Sequence, residues 1–196
     1  MTLEELRAEG VSCTRCALAG SRTQVVFGVG NPDAGLMLIG EGPGRDEDLQ
    51  GEPFVGRSGK LLDRLLAEEM GIDRTGCYIA NVLMCRPPGN RDPRPEEIES
   101  CRPHLQGKID LMRPRVIITL GNFASRFVLD RTEGIKRLRG RVYPYEHGVV
   151  VPTYHPSAAL RSGGEVLAEM RADLIRAKEA LAGGAPAPRP TRETVA

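Results

Sequence analysis

Four of the five cysteines in this 196-residue chain stand where metal ligands stand: Cys13-x2-Cys16, a gap of 68 residues, then Cys85-x15-Cys101. Four thiolates are a soft anionic donor set suited to zinc or to an iron–sulfur cluster, and spacing does not choose between them. Ordinary reduced thiols are the alternative. Cys77 opens an apolar run, Cys77 to Leu83, and reads as a buried structural thiol. Three polar residues stand at the ends of other apolar runs. Glu41 follows Leu36–Ile39 inside Gly40-Glu-Gly-Pro-Gly44, Asn81 lies late in the Cys77 run, and His155 follows Val149–Tyr154. Each has a plain structural counterpart: a tight turn with solvated acids, a core amide, a histidine bonded to backbone. Phe54, between glycines in Gly51-x-Pro-Phe-Val-Gly56, either stacks on a flat ring or plugs the core.

The elements that must position these groups follow from periodicity. Thr2 with Glu5 makes a capping box that opens a helix through about Ala8. Leu61, Leu62, Leu65, Leu66 and Met70 have helical spacing from Ser58, and Gly71 stops them. Glu96 to Met112 is helical, with Pro103 expected to kink or split it. Val116–Leu120 is a strand, Asn122–Leu129 a short helix and Glu165–Leu181 a long amphipathic one. Leu36–Ile39, Cys77–Leu83 and Val149–Tyr154 complete a set of four strands. Short apolar strands alternating with helices predict an α/β domain with a mainly parallel sheet, whose ligands bind beyond the carboxyl ends of the strands. Glu41, Asn81 and His155 fall at that edge. Residues 1–182 read as one domain and 183–196, GGAPAPRPTRETVA, as a flexible tail.

Composition narrows the class. Hydrophobic residues at 40% and charged residues at 27% are those of a globular protein. The apolar runs are too short for a bilayer, and the N-terminus lacks an export pattern, so membrane and secreted classes are excluded and a cytoplasmic location is expected. Net charge is +1, yet lysine occurs only at 60, 108, 136 and 178, so arginine makes up nearly all of the 27 basic residues. Two basic stretches, Arg86/Arg91/Arg94 and Lys136/Arg137/Arg139/Arg141, are solvated loops or tracks for a phosphate backbone.

Taken in order, Cys13-x2-Cys16, Gly40-Glu-Gly-Pro-Gly44, Gly51-x-Pro-Phe-Val-Gly56, Asn81, Cys85-Arg-Pro-Pro88, Cys101 and His155-Pro-Ser157 resemble family 4, the iron–sulfur branch, of the uracil-DNA glycosylase superfamily. The resemblance implies a three-layer sandwich around a four-stranded parallel sheet, and a structural [4Fe–4S] cluster on Cys13, Cys16, Cys85 and Cys101. It implies hydrolysis of the bond joining a flipped-out uracil to deoxyribose in single- or double-stranded DNA, releasing free uracil. Phe54 would stack on the base, and the Asn81 amide would accept from N3–H and donate to O4. His155 would donate to O2, assisted by backbone N–H groups near Gly42, with Pro43 also meeting the substrate. Glu41 would orient water or stabilise the cationic sugar, and Ser157 would hold phosphate. Arg86 and Arg161 would touch DNA, with Leu160 helping to wedge the duplex.

Relative to family 1, whose turn reads Gln-Asp-Pro-Tyr, the positions here are Glu41, Gly42, Pro43 and Gly44. The tyrosine that blocks thymine's methyl is absent, and the resemblance offers Glu47 for that block. A related branch captures uracil-DNA through a histidine, and no histidine lies between Cys85 and Cys101; His104 lies beyond. A monomer is expected. The competing readings are a glycosylase for another deaminated base, and a non-cutting iron–sulfur sensor of uracil or single-stranded DNA.

Overall fold

A computed structural model describes residues 1–183, so the tail expected at 183–196 lies outside the described residues except for Gly183. The first helix, α1 (Leu3–Val11), opens on the expected capping box: Thr2 Oγ1 accepts from the Glu5 N–H at 3.1 Å, and the Thr2 N–H donates to Glu5 Oε2 at 2.7 Å. It runs past Ala8. There follow β1 (Val29–Gly30), β2 (Leu36–Gly40), α2 (Arg45–Gln50), α3 (Arg57–Leu65), β3 (Tyr78–Asn81) and α4 (Pro95–Met112). The second half comprises β4 (Val116–Leu120), α5 (Asn122–Leu129), α6 (Ile135–Leu138), β5 (Tyr143–Tyr145), β6 (Gly148–Thr153), α7 (Pro156–Ser162) and α8 (Gly164–Ala182).

The sheet has six strands in the order β1-β3-β2-β4-β6-β5, two more than the sequence reading expects. β3, β2, β4 and β6 pair in parallel, and the added β1 and β5 pair antiparallel at the two edges. Strands of two and three residues have no room for an alternating pattern, which is why they leave no trace in the sequence. The four inner strands are buried at every position, as strands covered on both faces must be. Leu36, Leu38, Ile118 and Val151 face one helical layer, with Leu62, Leu65 and Leu174. Met37, Ile39, Ile117 and Val150 face the other, with Leu105 and Ile109.

Two further expectations need correction. α4 is a single helix of 18 residues that runs through Pro103. The proline is exposed, so the Glu99 carbonyl it leaves unpaired faces water rather than core. The Lys136–Arg141 stretch is not a uniform basic patch. Arg139 turns inward, its Nε 2.9 Å from Asp173 Oδ2 and its Nη1 2.8 Å from Glu169 Oε1, and Asp173 is buried in α8. Lys136, Arg137 and Arg141 stay exposed.

Breaking a buried pair strands one charge, which costs about 3–5 kcal/mol. Asp173→Ala is expected to lose that much in urea denaturation, whereas Arg141→Ala should stay within about 0.5 kcal/mol of wild type.

Candidate active site and a sulfur-lined cavity

The carboxyl ends of the four parallel strands deliver the polar residues to one place. Glu41 follows β2, Asn81 ends β3, Gly121 follows β4 and His155 follows β6, and all four line a single cavity of about 820 Å³. Residues of the first turns of α2, α3, α5 and α7 line it too, so four helix N-termini border the same space. Such a cavity favours an anion without needing net positive side-chain charge.

Its floor is built by close packing. Phe54 sits at φ 56°, a left-handed backbone that a bulky residue rarely adopts. Three neighbours hold it there. Arg74 donates to the Pro53 carbonyl at 2.8 Å and to the Phe54 carbonyl, while its Nε pairs with Asp63 Oδ1 at 2.8 Å. Gly59 is needed because a Cβ there would lie 1.6 Å from the Phe54 carbonyl oxygen. At Gly40, a Cβ would meet Asn81 Oδ1 at 2.4 Å and the Phe54 ring at 2.6 Å. The Phe54 ring lies 5.5 Å from that of His155 with a 31° tilt.

Three groups above this floor carry unusual chemistry. Asn81 Oδ1 is buried and accepts no hydrogen bond from any protein group. Burial pushes the Glu41 carboxyl up to about 7, with the Asp92 charge across the cavity adding to it. Burial, helped by Arg161, lowers His155 to about 4, so the imidazole is neutral at physiological pH. The Ser157 N–H donates to His155 Nδ1 at 3.2 Å, and Ser157 Oγ stands 2.8 Å from the same nitrogen. Nδ1 therefore accepts, and the ring's proton sits on Nε2.

The other expected residues divide. Gly42, Pro43, Glu47, Ser157 and Arg161 line the cavity. Glu47, however, has its carboxylate engaged: Oε1 accepts from the Val55 and Gly56 N–H groups at 3.0 Å each, and Oε2 accepts from Gly44 at 3.1 Å. It joins the glycine-rich turn to the Phe54 loop. Arg86 does not line the cavity; its Nε donates to Asn90 Oδ1 at 2.7 Å. Leu160 is 43% exposed on α7. His104 is buried in α4, away from this cavity. The sequence reading missed Asp92 and Asn122 as site residues, although both line the cavity. Asp92 lies in a proline-rich stretch without periodicity. Asn122 had a usable signal, since it follows a strand end just as Glu41 and His155 do.

A second, small cavity is lined by all four spaced cysteines, Cys13, Cys16, Cys85 and Cys101, every one a free thiol. Cys77 lies elsewhere, buried beside β3. Among the described residues no three His, Cys, Asp or Glu side chains are drawn together at single-ion ligand spacing. The lining nonetheless holds sulfur and no carboxylate, and N–H groups point at the sulfurs: Met84 N to Cys101 Sγ at 3.4 Å and Arg22 Nη1 to Cys85 Sγ at 3.5 Å. Burial pushes the Cys101 thiol up to about 11 and raises Cys85 as well, so a positive centre is what would keep them as thiolates. The donor set fits a thiolate-bound metal centre.

The model of the uracil DNA glycosylase superfamily matches residues 27–179. A Type-4 uracil-DNA glycosylase of Archaeoglobus fulgidus is 46% identical over 167 residues, covering 81% of this chain and 83% of that protein. A Type-4 uracil-DNA glycosylase of Thermotoga maritima is 46% identical over 163 residues, 82% and 84% of the two chains. A third protein of that name, from Saccharolobus solfataricus, is 41% identical over 187 residues, 91% and 86% of the two chains. With a family match across most of its length and relatives this similar over four-fifths of theirs, the chain belongs to the uracil DNA glycosylase superfamily.

Proposed function

We propose that this protein hydrolyses the N-glycosidic bond of uracil in DNA, single- or double-stranded, releasing free uracil and leaving an abasic site. The observation that carries the reading is the unpartnered, buried Asn81 Oδ1 beside the Phe54 ring. A flat base stacked on Phe54 meets an amide whose oxygen accepts from uracil N3–H and whose NH₂ donates to O4. Cytosine reverses both roles, leaving buried polar groups unpaired, which a polar site rejects strongly. A base inside a duplex cannot reach this floor, so it is flipped out first.

As the bond breaks, negative charge collects on the departing ring, chiefly at O2. The neutral His155 meets it with Nε2–H, and the converging helix N-termini add their partial positive charge. A neutral imidazole is the better partner here, because it donates without transferring its proton outright. Glu41, as carboxylate, orients water and stabilises the cationic sugar. Among the described residues no lysine lines the cavity, which favours water over an amine as nucleophile and hence a monofunctional enzyme. Gly42 and Pro43 bring backbone close to the base, Glu47 holds the wall on the side of thymine's methyl, and Ser157, Arg161 and Leu160 meet the DNA strand. Cys13, Cys16, Cys85 and Cys101 would hold a [4Fe–4S] cluster, which supplies a tie between the N-terminal segment and α4 rather than a chemical step.

Paired oligonucleotides with uracil or thymine at one position, incubated with chelator, test the reading: uracil alone should be released, followed by alkali-sensitive strands. Binding without release identifies the sensor, and release of hypoxanthine but not uracil identifies the other-base enzyme. Asn81→Ala should lower kcat/KM about 10²-fold, roughly 3 kcal/mol. It should leave the thermal midpoint unchanged, because the amide oxygen has no protein partner to lose.

Glu41 gives a pH prediction. Its folded value of about 7 exceeds the ordinary 4.5, so folding favours the protonated form and stability falls as pH rises between those values. Activity rises over the same interval, because the carboxylate is the working form. Glu41→Gln is therefore expected to be more stable than wild type at pH 8 by about 2–3 kcal/mol, equal to it near pH 4, and slower by 10²-fold or more, with the limb near pH 7 gone from its rate profile.

Iron analysis addresses the sulfur cavity. Cys85→Ser should lose cluster and solubility together, while Cys77→Ser should lose neither; equal losses would mean the ligands are misassigned.

A further inference from the structure

Away from the active-site cavity, α4 carries a buried lysine that the reaction does not use. Lys108 is fully buried, its Nζ has no hydrogen-bond partner, and it lies 4.0 Å from the centroid of the Phe27 ring. Arg7 of α1 approaches the same ring at 5.7 Å. Among the described residues neither cation forms an ion pair. Water is kept out by close helix packing: a Cβ on Gly10 would meet the Phe27 ring at 3.0 Å, and one on Gly107 would meet Leu6 at 3.0 Å. Burial pushes this amine down to about 7, so its ammonium form needs an anion beside it, because an aromatic face offsets only part of the lost hydration.

The nearby groups able to be anionic are sulfurs. Lys108 stands two turns beyond Cys101 on the same buried face of α4. Phe27 belongs to the apolar cluster that contains Cys85 and Cys101, with Cys16 packed against it. The sulfur cavity is lined by two arginines and no carboxylate, and Arg15 is already paired with Glu9. Four thiolates around a centre bearing two positive charges leave two negative charges uncompensated. Arg22, which lines this cage, and Lys108, further along α4, are basic groups that no carboxylate claims.

We propose that Lys108 is the buried counter-charge of the four-cysteine centre, holding the cage in its thiolate form and setting the energy at which the centre is reduced. The proposal rests on the reading of those cysteines as metal ligands. Removing the ammonium makes an added electron less welcome and the thiolates easier to protonate and detach.

The test compares cluster-loaded wild type with Lys108→Met, of similar length and uncharged, and Lys108→Arg, which keeps the charge. Spectroelectrochemical titration of K108M should show a reduction equilibrium at least tenfold less favourable, about 59 mV lower for one electron. Bleaching by chelator should be several-fold faster, and K108R should resemble wild type in both. K108M with wild-type potential and bleaching overturns the proposal, as does K108R matching K108M. A packing role alone moves neither potential nor the arginine rescue. Lys108→Gln repeats the comparison with a polar neutral side chain if the methionine variant does not accumulate. Wild type isolated with zinc or without metal refutes the cluster reading instead; with zinc, metal-loss rates across the same variants still decide the role of Lys108.

Discussion

Everything at the floor of the cavity depends on holding Phe54 in a backbone conformation it would not choose. At φ 56° the residue pays a steric cost of order 1 kcal/mol or more. The arginine clamp from Arg74 and the bare backbones of Gly40 and Gly59 make any other arrangement worse. Gly40 matters twice, because one missing Cβ lets both the ring and the Asn81 amide approach the end of β2. The ring and the amide are thereby placed by the same contact, and under the proposed function a base stacked on one is presented to the other.

The electrostatics of the site also come from architecture more than from side-chain charge. A chain of net charge +1 has little long-range attraction for a polyanion, and several cavity-lining acids work against it. What favours a developing anion is local: helix N-termini gathered by strand topology and a histidine kept neutral by burial. Because β2, β4 and β6 each lead into a helix near this edge, the gathering follows from the parallel connections and needs no special sequence.

This explains what was legible in the sequence and what was not. The inner strands announce themselves as short apolar runs, and the residues just past them, Glu41, Asn81 and His155, could be assigned to one edge before any coordinates existed. The short helices α2, α6 and α7 could not be read, since four to seven residues complete too few turns to show a period. Arg139 misled because composition cannot distinguish an arginine facing solvent from one facing a buried aspartate on a helix thirty-odd positions later. Glu47 shows the same limit for acids: of the three backbone donors that claim it, Val55 and Gly56 lie eight and nine positions on and leave no local sign. Pro103 misled because its cost depends on which face of the helix it occupies.

The two edge strands that the sequence concealed carry a consequence for behaviour in a crowded cell. A sheet of four parallel strands alone would expose long ladders of unpaired N–H and C=O groups on both sides, ready to recruit a strand from another molecule. Here each border is finished by a fragment running the opposite way, two residues long on one side and three on the other. The second has Pro144 at its centre, which has no N–H to offer. Little is left for a foreign strand to zip onto. Five residues of trim are thus all that separates the inner parallel ladder from a strand of a second copy.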